Sequence, residues 1–311
     1  MNQNRVGLRS QKKKFESYKL FFMIFPFLVL VFIFSWFPLY GWIYAFFDFR
    51  PPTKLAQSEF VGFYWFKLMV SNQIRIRQTV EVLQNTFAMS GLGILTSWVP
   101  ILFAILLSQC QRSWLKRGVQ TITTLPNFIS WVLVYSFAFA LFSSNGAVNA
   151  ILSKLNMTEQ PILFLQQNDH VWLNMLLWSM WKSTGWSSIL YLAALSGIDS
   201  QLYDAAKVDG ANRFRIIWHV DIPGLIPTYF VLLLLSVASF LSNGMDQYYV
   251  FQNAFNKSQI QVLDLYVYNI GIVSGSYSFA TAISMLKSVV SVILLFSCNK
   301  LSKSIRGESI I

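Results

Sequence analysis

Six stretches of the chain stay apolar for long enough to cross about 30 Å of hydrocarbon, roughly residues 20 to 47, 86 to 108, 121 to 142, 171 to 197, 221 to 242 and 277 to 298. Each reads as a helix, because an open strand or loop would carry its backbone polar groups unpaired into lipid. The first run, LFFMIFPFLVLVFIFSWFPLY from Leu20 to Tyr40, is longer than the apolar core of a secretory signal. No small-residue cleavage site follows it, so it is expected to remain as a span. The pattern predicts an all-α, polytopic membrane protein with six transmembrane helices in one domain, 20–298. A basic tail, 1–19, precedes that domain and a short tail, 299–311, follows it. No linker, low-complexity tract or internal repeat divides it.

Composition strengthens this picture. Of 311 residues, 55% are hydrophobic and 12% charged, whereas a soluble domain carries about 25% charged residues. Charge then orients the spans. With alternate loops assigned to opposite sides, 15 of the 24 Lys and Arg fall in the two tails and the 109–120 and 198–220 loops. Seven fall in the remaining loops, and Lys182 and Lys287 lie inside spans. By the positive-inside rule both termini are cytoplasmic. The formal charge of +11 is mostly this asymmetry plus the attraction of Lys12, Lys13 and Lys14 to anionic lipid, so nucleic acid is not an expected partner. Two cysteines and two separated histidines, His170 and His219, provide neither a disulfide framework nor a zinc site, and no metal is expected.

The most informative polar segment is the loop at about 198–220. Asp199 or Ser200 is placed to cap a helix, Gly210 interrupts it, and a second short helix is expected from Asn212 towards His219, with Pro223 stopping or redirecting the chain. Ala205, Ala206, Gly210 and Ala211 leave a surface that another protein can approach closely. The competing reading is an amphipathic helix on the inner leaflet, but its apolar residues are mostly small, where an interfacial anchor offers Leu, Phe and Trp.

The segment DAAKVDGA, Asp204 to Ala211, followed by Phe214, Ile217 and Ile222-Pro223, resembles the EAA coupling motif of ATP-binding-cassette importer permeases. Asp204 stands where the motif usually has Glu. The likeness extends over nearly the whole chain to multi-sugar permeases of the maltose-transporter type, through PLYGWIYAFFDF (38–49), LPNFISWVLV (125–134), WKSTGWSSILYLAALSGID (181–199) and YSFATAISMLKSVVSVILL (277–295). This resemblance implies the type I importer permease fold and a bacterial cytoplasmic (plasma) membrane location. It also implies a second, related permease as heterodimer partner and an extracytoplasmic solute-binding lipoprotein that delivers an oligosaccharide. Two ATPase subunits would bind ATP and Mg, and this chain would hold no cofactor and catalyse nothing. Asp204, Ala205, Ala206, Asp209, Gly210, Ala211, Phe214, Ile217 and Pro223 would form the contact to the ATPase. Independently, no G-x-x-x-x-G-K-[ST] stretch is present to cradle nucleotide phosphates.

Ionisable residues inside spans point to a pathway. Ser179, Lys182 and Trp186 fall at i, i+3 and i+7, a hydroxyl, an ammonium and an indole expected on one face. Ser236, Ser239, Phe240 and Asn243 form a similar stripe on the fifth span. Such a mixture suits a sugar, whose hydroxyls need hydrogen bonds and whose C–H face packs on a ring. In the maltose-type permeases that this chain resembles, substrate is contacted from the corresponding stretches. The plainer reading has serines bonding their own helix, Trp in the interfacial belt and Lys reaching for the interface. Lys182 as a fixed charge in the path would favour an anionic, uronate-containing oligosaccharide, and Lys287 is expected either in the path or paired with a carboxylate of the partner permease. Outside, the 48–85, 143–170 and 243–276 loops face the binding protein, with Asp246, Gln247 and Tyr248 expected at the outer mouth. Two other classes compete. A secondary transporter would more often show internal repeats and buried acidic sites, and a membrane enzyme would need paired catalytic residues that the spans lack.

Overall fold

The computed structural model describes residues 18–166 and 169–306. Arg5, Arg9, Lys12, Lys13, Lys14 and the tail from residue 307 lie outside the described residues. The first helix, α1 (Tyr18–Phe46), tightens from π-helical turns at Phe32–Trp36 into a 3₁₀ segment, Phe37–Phe46, with Pro38 in its first turn. It leads into a small antiparallel ribbon in which Phe47 faces Phe60 and Asp48 faces Glu59. Short α2 (Tyr64–Leu68) follows.

The second apolar run belongs to a longer rod than its hydrophobicity predicts. Helix α3 (Gln73–Leu95) starts 13 residues before position 86, where the Asn72 side chain accepts from the Ile74 amide. The rod bends at 96–98 before α4 (Val99–Ser108). Here Thr96 and Ser97 turn their hydroxyls back onto the Leu92 and Ile94 carbonyls, and Pro100 in the first turn of α4 provides no N–H.

The expected continuous span over 121–142 is corrected to two helices. Helix α5 (Ser113–Thr124) ends in a 3₁₀ turn at Leu125–Phe128, and α6 (Trp131–Phe142) starts afresh with Ser130 as its cap. Pro126 has no amide for an α-helical ladder and disfavours helical geometry at the residue before it, so the rod breaks there despite its apolar sequence. After α7 (Ala147–Lys154) comes α8 (Val171–Ser196), whose 26 residues span about 39 Å.

Helix α9 (Ser200–Val208) is followed by α10 (Arg213–Ile216), which is corrected from a separate helix to the opening turn of a rod. That rod passes through π-helical turns at Ile217–Asp221 into α11 (Ile222–Ala238). Pro223 therefore does not stop the chain. It lies in the first turn of α11, where a missing N–H is tolerated. The expected 243–276 loop is largely helical, with α12 (Asp246–Phe251), α13 (Lys257–Ile260) and α14 (Leu263–Tyr268). Last comes α15 (Tyr277–Arg306), which runs well past residue 298.

Among the described residues, five stretches are long and apolar enough to cross a membrane: Tyr18–Phe46, Gln73–Ser108, Trp131–Lys154 (α6 and α7 with the turn at 143–146 between them), Arg213–Ala238 and Tyr277–Lys303. Three apolar cores join them. Met89, Val134, Met175, Phe251 and Leu265 tie α3, α6 and α8 to α12 and α14, and Val82, Leu263, Phe279 and Ile283 seat α15 against α3 and α14. Ala104, Ile105, Tyr191, Leu195 and Leu225 lock α4, α8 and α11 together. Buried polar groups cross between elements. Asn85 donates to the Ser258 and Gln261 carbonyls at 2.8 and 3.2 Å, and Thr86 accepts from the Leu263 amide at 2.9 Å. Gly185 brings α8 so close to α5 that any Cβ there would overlap the Thr123 carbonyl.

Candidate functional site

The bend between α3 and α4, the middle of α8 and the second half of α11 enclose a cavity of about 480 Å³. Its wall carries nine hydroxyl residues: Thr96, Ser97, Ser179, Ser183, Thr184, Ser187, Tyr191, Ser236 and Ser239. Among the described residues, no Asp, Glu, Lys or Arg lines it. Several of these hydroxyls donate to their own helix, Ser183 to the Ser179 carbonyl at 2.8 Å and Ser236 to the Leu232 carbonyl at 2.9 Å. Their oxygen lone pairs remain able to accept, while Ser97 also shares a 3.0 Å hydrogen bond with the Tyr229 hydroxyl. Such a wall suits a solute rich in O–H donors.

The stripe expected on α8 is divided. Ser179 faces the cavity with Ser183, Ser187 and Leu190, whereas Lys182 and Trp186 lie outside its lining. Lys182, 9% exposed, donates to the carbonyls of Pro126 and Asn127 at 3.0 and 2.8 Å and lies 5.5 Å from the centre of the Trp131 ring. It fastens the α5–α6 break, adding to the Ile129 amide as a donor to the Pro126 carbonyl, and so is corrected from a cavity charge to a pin. Trp186 packs edge-on against Phe128 of the same break. On α11, Ser236 and Ser239 line the cavity. Phe240 and Asn243 lie past the end of the helix. Phe240 packs on Phe87, and Asn243 donates to Ser90 at 2.8 Å while Ser90 donates to the Phe240 carbonyl.

Lys287 pairs within this chain, with Asp264, which also accepts from the Gly244 amide at 2.9 Å. The expected carboxylate of a partner permease is thus corrected to one on α14. The outer-mouth group is also divided. Asp246 is exposed, but Gln247 donates to the Met175 carbonyl at 2.7 Å from a buried position and Tyr248 belongs to the core, because α12 packs inward against α6 and α8. Thr96, Ser97, Ser183, Thr184 and Ser187 were not picked out from sequence. Choosing i+3 and i+7 from Ser179 followed the charge, whereas the cavity follows i+4 and i+8.

At the other end of α11, α9 forms an exposed knob. Asp199 caps it by accepting from the Gln201 amide at 2.9 Å. It closes with Gly210 at φ +69°, the Gly210 amide bonding the Lys207 carbonyl and the Ala211 amide the Ala206 carbonyl. This pair of bonds is the Schellman arrangement, and its left-handed residue favours glycine. Asp204 is exposed and pairs with Lys207 at 3.0 Å. Ala205 and Asp209 are exposed, while Ala206 and Ala211 are half-buried. Val208 and Phe214 stand out at 88% and 81% exposure, Ile217 packs on the α4–α8–α11 core, and Pro223 is exposed at the start of α11. Beneath the knob lies a group not singled out from sequence. Asp221, 1% exposed, accepts from the Tyr203 hydroxyl at 2.7 Å and from the Gln109 amide at 3.3 Å. Burial and the bond to Asp221 hold the Tyr203 phenol above its ordinary range.

A bundle of membrane-length helices with a hydroxyl-lined cavity at its middle and an exposed knob at one end is a membrane transport subunit. Residues 92–306 match the family of binding-protein-dependent transport system inner membrane components, and the chain belongs to that family as a multi-pass membrane permease. It is 37% identical to the protein LplB of Bacillus subtilis (strain 168) over 94% of this chain and 90% of the relative. It is 33% identical to the polygalacturonan/rhamnogalacturonan transport system permease protein YteP of the same organism, over 94% and 89% of the two chains. Among solved structures, it resembles a chain of a bacterial ABC transporter involved in the import of the acidic polysaccharide alginate. That match has a TM-score of 0.82 and 29% identity, over 96% of this chain and 99% of the other.

Proposed function

We propose that this chain is the translocation subunit of an ATP-driven importer of oligosaccharides, with six crossings and both termini in the cytoplasm. The six are the five apolar stretches and α8, whose polar positions face the cavity and the α5–α6 break rather than lipid. The observation that carries the reading is the hydroxyl-walled, charge-free cavity built on the two rods, α8 and α11, that flank the exposed knob. A second permease would supply the other half of the pathway, two ATPase subunits binding ATP and Mg would receive the knob at Asp204 to Ala211 and Phe214, and an extracytoplasmic solute-binding protein would deliver substrate. Closure of the ATPases on ATP would pull α9 and turn the cavity from one side of the membrane to the other.

The substrate proposed is an oligosaccharide containing uronate. This is supported by relatives whose names refer to polygalacturonan/rhamnogalacturonan and to alginate. The cavity wall of this chain would serve the sugar hydroxyls, and the charge opposing a carboxylate would come from the partner permease, because Lys182 is occupied by the α5–α6 turn. The test is to purify the chain gently from its native membrane, identify its companions by mass spectrometry and reconstitute the assembly. Co-purification of a second permease and an ATPase, with ATP-dependent uptake of galacturonate oligosaccharides, is expected. Uptake by the chain alone, driven by an ion gradient, would establish a secondary transporter instead.

A further inference from the structure

The knob needs a rigid link to the cavity if its motion is to be transmitted, yet α9 joins the rest of the chain only through short turns at 197–199 and 209–212. The one fixed cross-connection below it, among the bonds described for α9, is the buried carboxylate of Asp221. Each of its oxygens is taken by a different element: Oδ1 by Tyr203 in the middle of α9, Oδ2 by Gln109 at the end of α4. Asp221 itself is the last residue before α11. Helices α4 and α11 both carry cavity wall, at Val99 and Pro100 and at Ser236.

We infer that Asp221 is a positioning residue for energy coupling, a clasp that makes α9, α4 and α11 move as one body so that a displacement of the knob reaches the cavity. Two hydrogen bonds to one buried carboxylate are stronger and more directional than the small apolar contacts around them. Cutting one such bond changes an equilibrium by about tenfold. The inference rests on the ATP-driven reading above.

The experiment uses the whole transporter purified with its native companions, with Cys110 and Cys298 replaced and Ser236→Cys as a reporter of cavity access. The rate of maleimide labelling is compared with and without ATP and Mg, alongside ATP hydrolysis. No substrate needs to be known. In the parent, ATP is expected to change the labelling rate. In Tyr203→Phe and Asp221→Ala, hydrolysis without stimulation is expected to persist while the ATP-induced labelling change shrinks about tenfold. Asp221→Asn is expected to retain most of the response, because the amide still accepts from Tyr203 and donates to a rotated Gln109 side chain. Equal responses in parent and variants would overturn the clasp, as would a loss that tracks reduced assembly and hydrolysis in all three variants. A parent that hydrolyses no ATP would overturn the importer reading instead.

Discussion

A lysine in the middle of a membrane helix invites a functional reading, and Lys182 shows how the surroundings decide it. At the α5–α6 break, where the Pro126 carbonyl already takes a 3.2 Å bond from the Ile129 amide, the ammonium of Lys182 supplies further donors to the Pro126 and Asn127 carbonyls at 3.0 and 2.8 Å while the Trp131 ring covers it. Its contacts are with these two carbonyls and the Trp131 ring, and Lys182 lies outside the cavity lining. Lys182→Met, which keeps the length but not the donors, is therefore expected to lower the melting temperature of the purified protein through about 1–3 kcal/mol of lost carbonyl satisfaction. It is also expected to change uptake of neutral and uronate oligosaccharides by the same factor. Selective loss of the uronate substrate would restore Lys182 to the path. The residue was legible in sequence as an expensive charge; its partner was not, because the carbonyls it serves exist only once Pro126 has broken the rod.

At the scale of elements, hydrophobic runs located the rods, and residues that alter backbone geometry decided where the rods end. The run 121–142 has the composition of one span, but Pro126 divides it into α5 and α6. Conversely, the run from 221 lacks the polar turns of α10 that precede it, so its rod starts at Arg213. The ends of the knob were legible to within a residue, since capping and the left-handed turn are local: of Asp199 and Ser200 it is Asp199 that caps α9, and Gly210 closes it. The clasp at Asp221 was not legible, because Gln109 and Tyr203 reach it from 112 and 18 residues away. Close helix approach leaves a similar faint trace, a lone glycine in a run of larger residues. Gly185 lets α8 rest on the Thr123 carbonyl of α5, and Gly185→Ala must push the two apart. The expected cost is about 1–3 kcal/mol, with a lower melting temperature and weaker assembly. Gly93→Ala on the bent rod, where a Cβ meets nothing within 4 Å, is the control expected to leave assembly unchanged and to raise the melting temperature slightly through its better helix propensity.

For the whole molecule, the distribution of charge and the placement of the two ends make the same argument from independent directions. Lys116 and Gln120 of α5 line one cavity together with Ser200, Tyr203 and Asp221, so the 109–120 loop and the knob share an end of the bundle. That end also carries Arg213 and Arg215 beside Lys207. Each basic residue near an anionic leaflet contributes about 1 kcal/mol, so the positive-inside rule predicts this end on the cytoplasmic side. On the same positive-inside assignment, the turn after α7 faces outward, and its Lys154 is balanced by Glu159. Single cysteines at Ser113 and Ser153, both exposed, read the two sides directly in a background with Cys110 and Cys298 replaced. An impermeant maleimide added to intact spheroplasts is expected to label Ser153→Cys at once and Ser113→Cys only after permeabilisation. The opposite pattern would put the knob outside the cell, beyond the reach of any cytoplasmic ATPase, and the importer mechanism would fall with it.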